Sequence, residues 1–183
     1  MITSLDGYAK AADGDLGAAA EDPEVHQFVS DVFRDVGTYL YGRRMYETML
    51  FWETADADPP DLPTHITQFA REWQATDKVV YSTTLETVSS ARTRIERTFD
   101  PEAVRRLKAE SDHDLTVDGP NLAAQAIRAG SWTSTTCSSP RASSAVAPAS
   151  SPDGVRLDLD LVEERSFDNA DLRALPDALS RAG

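Results

Sequence analysis

The chain is 183 residues long, the size of one domain, and its 40% hydrophobic and 27% charged residues are globular rather than disordered in composition. Acids outnumber bases 31 to 18, a net charge of -13, which argues against a general nucleic-acid binder because phosphate affinity needs clustered positive charge. One cysteine, Cys137, excludes an internal disulfide framework and a multi-cysteine zinc site. No apolar run approaches the roughly 20 residues of a membrane-spanning helix. Met1 to Gly7 has neither a basic region nor an apolar core, so no secretory signal is read there. A cytoplasmic protein with no membrane and no nucleic-acid partner is the expectation.

Residues 4 to 22 read as a glycine-punctuated loop. A helix follows, with Asp22 as cap and Pro23 at its first position. Val25, Phe28, Val29, Val32, Phe33 and Val36 form its apolar stripe, and Gly37 is expected to end it. Thr38 to Tyr41 is a short buried strand, Gly42-Arg43-Arg44 a turn, and Met45 to Phe51 the start of a second helix. An acidic, proline-containing loop covers 54 to 63. Ile66, Phe69, Ala70 and Trp73 mark a helix, followed by the strand Lys78 to Ser82. Thr93 to Arg97 reads as a short strand, and Asp100-Pro101 opens a helix through Val104 and Leu107. Leu115 to Val117 is a strand, Asp118-Gly119-Pro120 a turn, and Asn121 to Ala129 a helix ended by Gly130. Strands alternating with helices of this length predict an α/β layer fold with mostly parallel pairing.

The composition then breaks. Residues 131 to 152 are SWTSTTCSSPRASSAVAPASSP, rich in hydroxyls and without an acid, in an otherwise acidic chain. One reading is a flexible linker. Another comes from the genetic code. Codons beginning TCG TGG ACG AGT ACC ACC TGC TCG, preceded by one C, read in the neighbouring frame as LVDEYHLLVSPRVVGGGTRVLP. That string has the same length and supplies a buried strand, a turn and a glycine-rich loop. A pair of compensating frameshifts is therefore a hypothesis for this stretch. Val155, Leu157, Leu159 and Leu161 next alternate with polar residues as a half-buried strand. Residues 170 to 183 read as a weakly helical tail with no clear place in a sheet.

Four segments in order carry a resemblance: Ser4-Leu5-Asp6-Gly7-Tyr8, Leu40-Tyr41-Gly42-Arg43-Arg44-Met45-Tyr46-Glu47, Lys78-Val79-Val80-Tyr81-Ser82 and Val117-Asp118-Gly119-Pro120-Asn121-Leu122. Together they resemble the dihydrofolate reductase-like family, and within it the branch of the riboflavin-biosynthesis reductase (RibD C-terminal) domain. The resemblance spans about residues 2 to 130 and 153 to 169. It implies a three-layer α/β/α fold with a mostly parallel central sheet, over one domain of residues 1–169, with 170–183 as a tail. Against that pattern the first strand is truncated and a late strand, within the aberrant residues 131–152, is disrupted.

The resemblance also implies NADPH as cofactor, a small-molecule substrate and a homodimer. Gly42, Arg43 and Arg44 would meet the cofactor phosphates, because helix-start amides and an arginine fork suit phosphate. Arginines pairing with surface acids are the competing reading. Ser82 and Thr83, with Thr84, would offer hydroxyls, or serve only as turn formers. Gly119 and Pro120 would bring backbone close to a pyrophosphate, or Gly119 answers only a turn requirement. Asp118 beside a phosphate is unfavourable electrostatically. Asn121 reads as a helix cap. Asp6 would face the substrate, or form a loop turn. No general acid is assigned, since hydride transfer depends mainly on cofactor position and site electrostatics.

Other residues point to bland roles. His26, His65 and His113 follow no ligand spacing. Asp56, Asp58 and Asp61 lack the glycine and terminal glutamate of a calcium loop. No G-x-S-x-G elbow occurs, and Trp52 and Trp73 fall on apolar stripes as core residues. The expected function is an NADPH-dependent reductase passing hydride to a ribosylaminopyrimidine or related heterocycle. The alternatives are a degenerate, frameshifted or truncated member without turnover, and a non-catalytic nucleotide-binding module.

Overall fold

The computed structural model describes residues 2–3, 23–57, 62–131, 134–140, 163–166 and 170–176. The candidate Asp6, and the strand expected between Val155 and Leu161, lie outside the described residues. The chain divides into two compact units, residues 27–122 and residues 1–26 with 123–183.

The unit of residues 27–122 is organised by one parallel sheet. Its strands are β2 (Val36–Gly42), β3 (Asp77–Tyr81), β4 (Thr93–Glu96) and β5 (Asp114–Asp118), in the order β4-β3-β2-β5. Every pairing is parallel, so all four C-terminal ends lie along one edge. The side-chain alternation of β2 explains why helices cover both faces. Tyr39 and Tyr41, with Val80 of β3, pack under Tyr46 of α2 (Arg43–Met49) and Phe69 and Trp73 of α3 (Thr64–Ala75). Leu40 and Val79 face the other way, against Val104 of α4 (Pro101–Glu110) and Leu122 of α5 (Pro120–Arg128). Phe33 of α1 (Pro23–Phe33) joins the tyrosine side, 6.2 Å from Tyr39 between ring centroids. This is the expected α/β/α layering.

Two core features come from polar atoms. Trp73 Nε1 donates to Tyr41 Oη at 3.0 Å, which satisfies the indole in a fully buried site. Lys78 is also fully buried. Its Nζ donates to the carbonyls of Trp73 and Thr76, both at 2.7 Å, and lies 4.2 Å from the Trp73 ring centroid. It thereby closes the C-terminus of α3, where carbonyls lack helical partners. Burial lowers the Lys78 pKa to about 8, against the opposing attraction of Glu53.

Five local expectations are corrected. Gly37 does not end the first helix. It sits in β2 where the register with β5 slips between Val36 and Thr38, and a Cβ there would meet His113 Cβ at 2.7 Å. Arg43 and Arg44 are not a separate turn, because α2 starts at Arg43 directly after an extended Gly42. Asn121 is not the cap of α5, which already starts at Pro120. The fourth correction concerns the tail: Ala170–Pro176 is β8 rather than a weak helix. It lies in a second sheet with β1 (Ile2–Thr3), β6 (Ser134–Pro140) and β7 (Glu163–Ser166), in the order β1-β6-β8-β7. β6 runs parallel to β1 and antiparallel to β8, with Cys137 opposite Thr3 and Arg173. Backbone pairing thus takes Ser134–Pro140 of the hydroxyl-rich segment between two other strands of the sheet. Val36, expected on the stripe of the first helix, opens β2 instead, whereas α4 is capped by Asp100 as expected, its Oδ1 accepting from Glu102 N at 2.9 Å, and Trp73 is core.

Candidate functional site

The site is the C-terminal edge of the β4-β3-β2-β5 sheet. Gly42 at the end of β2 is in register with Tyr81 of β3, and Tyr41 with Asp118 of β5. The residues that follow those strands therefore converge. Gly42, Arg43 and Arg44, then Ser82 and Thr83, then Gly119 and Pro120 all lie at this edge.

The two glycine corners are neighbours. Gly119 has a φ of +109°, which L side chains rarely adopt, and a Cβ placed there would lie 3.6 Å from Gly42 N and 3.7 Å from Met45 Cβ, ordinary contact distances. Glycine is needed for the backbone angle. No side chain caps α2, so its first amides are not taken by a capping group.

Arg43 and Arg44 behave differently. Arg43 Nε donates to Glu47 Oε1 at 2.7 Å, and its Nη1 donates to Thr84 Oγ1, also at 2.7 Å. The side chain therefore spans from α2 to the loop after β3. Arg44 is exposed, and its guanidinium has no partner among the described residues.

The loop after β3 is held from three sides. Ser82, 8% exposed, accepts on Oγ from the amides of Thr84 (3.3 Å) and Leu85 (3.0 Å), a hydroxyl-closed turn. Arg97 Nη1 donates to the carbonyls of Ser82 (3.0 Å) and Leu85 (2.6 Å). Tyr46 Oη accepts from Ser89 N at 3.0 Å and Ser90 N at 3.3 Å. Thr83 is exposed on this braced loop.

Asp118 is 5% exposed, and Thr116 Oγ1 donates to its Oδ2 at 3.0 Å. Its charge is felt by the stacked pair Tyr39 and Tyr41, whose centroids are 5.4 Å apart. Burial first, and Asp118 second, push both phenols well above their usual range. Both stay protonated at any physiological pH.

The structure brings Gly42, Arg43, Arg44, Ser82, Thr83, Gly119 and Pro120 to one edge of the sheet. Sequence reasoning missed the supports: Glu47, Tyr46, Thr84 as the partner of Arg43, and Arg97. Tyr46 and Glu47 stand in the quoted motif, so spacing alone offered a hint; Arg97 offered none. Among the described residues no group of His, Cys, Asp and Glu could hold a metal ion. No described helix is long and apolar enough to cross a membrane.

Neighbouring glycine corners, an arginine fork and a hydroxyl loop form a donor set suited to an anionic, phosphate-bearing ligand. The layered, parallel sheet is that of the dihydrofolate reductase-like fold. The sequence profile of the RibD C-terminal domain matches residues 1–132, and the chain belongs to that family. A riboflavin biosynthesis protein from Shewanella sp. PV-4 has a similar structure, with a TM-score of 0.68 and 15% identity, over 97% of this chain and 96% of that one. RibD of Acinetobacter baumannii gives 0.60 and 14% identity, over 97% of this chain and 56% of that one. The diaminohydroxyphosphoribosylaminopyrimidine deaminase/5-amino-6-(5-phosphoribosylamino)uracil reductase of Thermotoga maritima gives 0.60 and 12% identity, over 97% and 55%. This chain thus spans about half the length of the last two proteins. No curated protein matches it in sequence.

Proposed function

We propose that the chain is an NADPH-dependent reductase that acts on a ribosylaminopyrimidine or a related heterocycle, in the manner named for the Thermotoga maritima protein. The observation that carries this reading is the side-by-side placement of the Gly42 and Gly119 corners at the ends of β2 and β5. A pyrophosphate can approach main-chain amides there without a Cβ between them. Arg43 and Arg44 add positive charge at the same edge, and Thr83 adds an exposed hydroxyl. When bound, the dinucleotide supplies the hydride; the protein's part is to hold and orient it and to place the substrate beside it. Asp6 is the candidate substrate contact, through carboxylate oxygens that can accept from a pyrimidine N–H. The working form is a cytoplasmic homodimer, a state that light scattering on the purified protein tests.

Titration with NADPH, followed by a turnover assay with a ribosylaminopyrimidine, tests the reading. Binding in the micromolar range and oxidation of NADPH on substrate addition are expected. Arg44→Ala should weaken binding about tenfold, the loss of one charge-assisted contact. A protein that binds no dinucleotide would end the proposal.

A second reading is favoured by β6, an interior strand with the sequence Ser-Thr-Thr-Cys-Ser-Ser-Pro. Residues 131–152 would then be the out-of-frame version of an apolar strand and glycine-rich loop, in a degenerate chain without turnover. Sequencing the gene through codons 125 to 155 separates the two: codons that cannot yield the alternative string remove this reading.

A further inference from the structure

We propose that Glu47 is a positioning residue that sets how strongly the site favours a phosphate monoester over a free hydroxyl on the adenosine ribose of the dinucleotide. The inference rests on the reductase reading above and concerns its choice between NADPH and NADH.

The site's positive charge is asymmetric. Arg43 and Arg44 stand on α2 beside the hydroxyl loop, whereas the β5–α5 corner has no basic residue in its first turn, and the basic residue of α5, Arg128, is in the last turn. A pyrophosphate bridge can be held by main-chain amides at close range, but a doubly charged monoester needs side-chain cations. The arginine side of the edge is therefore its place.

Arg43 reaches that place under constraint. Of its five N–H groups, the one on Nε is bound to Glu47 and one on Nη1 to Thr84 Oγ1. Two bonds to two different elements fix the guanidinium plane and leave three donors for a ligand. Glu47 thus does two opposing things: it orients the fork, and it sets a negative charge beside any bound dianion. The Gln variant separates these effects, because its side-chain oxygen can still accept from Nε while the charge is gone. Thr84→Val keeps the shape of the residue and removes the second anchor.

Calorimetric titration of NADPH and NADH into the wild-type protein, Glu47→Gln and Thr84→Val, at low salt and at 0.5 M salt, tests the proposal. Glu47→Gln should tighten NADPH binding about three- to tenfold at low salt and leave NADH within about twofold, since a neutral hydroxyl does not feel the lost charge. The gain should shrink at high salt, because the pair is exposed. Thr84→Val should weaken NADPH about threefold and NADH less. A purely structural role would move both dinucleotides together, so equal shifts, or an unmoved ratio in a wild type that binds both, would overturn the role of Glu47 and leave the reductase reading standing. A wild type that binds neither dinucleotide overturns both.

Discussion

In the β4-β3-β2-β5 sheet the interior strands read Tyr-Leu-Tyr and Val-Val, and each residue has a helix-borne partner on its own face. In the second sheet the interior strand β6 reads Ser-Thr-Thr-Cys-Ser-Ser-Pro, between β1 and β8. Both sheets are paired through the backbone, β6 with β8 over seven residues and with β1 over two. The composition of the interior strands differs, and it matters because each large apolar side chain taken from water stabilises by about 1.5–3 kcal/mol, whereas a net hydrogen bond adds about 0.5–1.5. Residues 27–122, which also carry the candidate site, hold two such apolar clusters, one on each face of their sheet.

The strongest way to break this comparison is Trp73→Ala. It empties a fully buried site, removes the partner of Tyr41 Oη and strips the ring from under Lys78. A loss of about 3–5 kcal/mol is expected, read from the urea midpoint. A loss below about 1 would mean that the stability lies elsewhere.

Lys78→Met comes next. It leaves the Thr76 carbonyl without its Nζ donor and the Trp73 carbonyl with the Thr76 amide at 3.3 Å, at about 1–3 kcal/mol, partly offset by no longer burying a charge. The sign with pH is specific. The folded pKa is lowered from 10.5 to about 8, so between those values the unfolded chain holds a proton that the native chain has released. Native stability contributed by this group therefore rises from about pH 8 towards 10.5. Above pH 10 the raised pKa values of Tyr39, Tyr41 and Tyr81 act in the opposite direction. The gap in melting temperature between wild type and Lys78→Met should widen from pH 7.5 to pH 10; a constant gap would remove Lys78 as its source.

How much of this was legible follows the same division. Alternation in β2, the Asp100-Pro101 cap and the strand-to-helix glycines are local signals, and local signals placed the parallel sheet and the edge residues. Glu47 was in plain view, yet its role depends on Thr84, which reaches Arg43 across 41 positions of sequence. No periodicity reports such a bond. Gly37 was misread because a glycine after an apolar stripe is the usual end of a helix, while here it lies in β2, where a Cβ would strike His113. The tail was misread because Leu172 and Leu175 are three apart, a helical spacing; its place in the sheet comes from pairing with β6 and β7, which composition does not announce.

Gly119→Ala sharpens the site half of the comparison. A Cβ at φ +109° is strained whatever the free space, at about 1–3 kcal/mol, and relief of that strain would shift the corner beside Gly42. NADPH affinity should fall together with stability. Asp100→Ala removes only the α4 cap, so about 1 kcal/mol should go with no change in dinucleotide binding. If Asp100→Ala also weakened binding, the edge would be coupled to α4 rather than self-contained.

The smallest effect belongs to β6. Ser138 is paired with Leu172 of β8 in the ladder, a backbone relation that any residue other than proline can keep. Ser138→Thr retains the hydroxyl and adds a β-branched carbon, which strands favour, on a scale that spans about 1 kcal/mol in all. A gain of a few tenths is therefore expected, with NADPH binding unchanged. Hydrogen exchange on the β6 and β3 amides makes the readout local: protection should rise in β6 and stay as it was in β3. A loss greater than about 2 kcal/mol would place Ser138 in a tightly packed polar core, and the contrast between hydroxyl-built and hydrocarbon-built sheets would no longer hold.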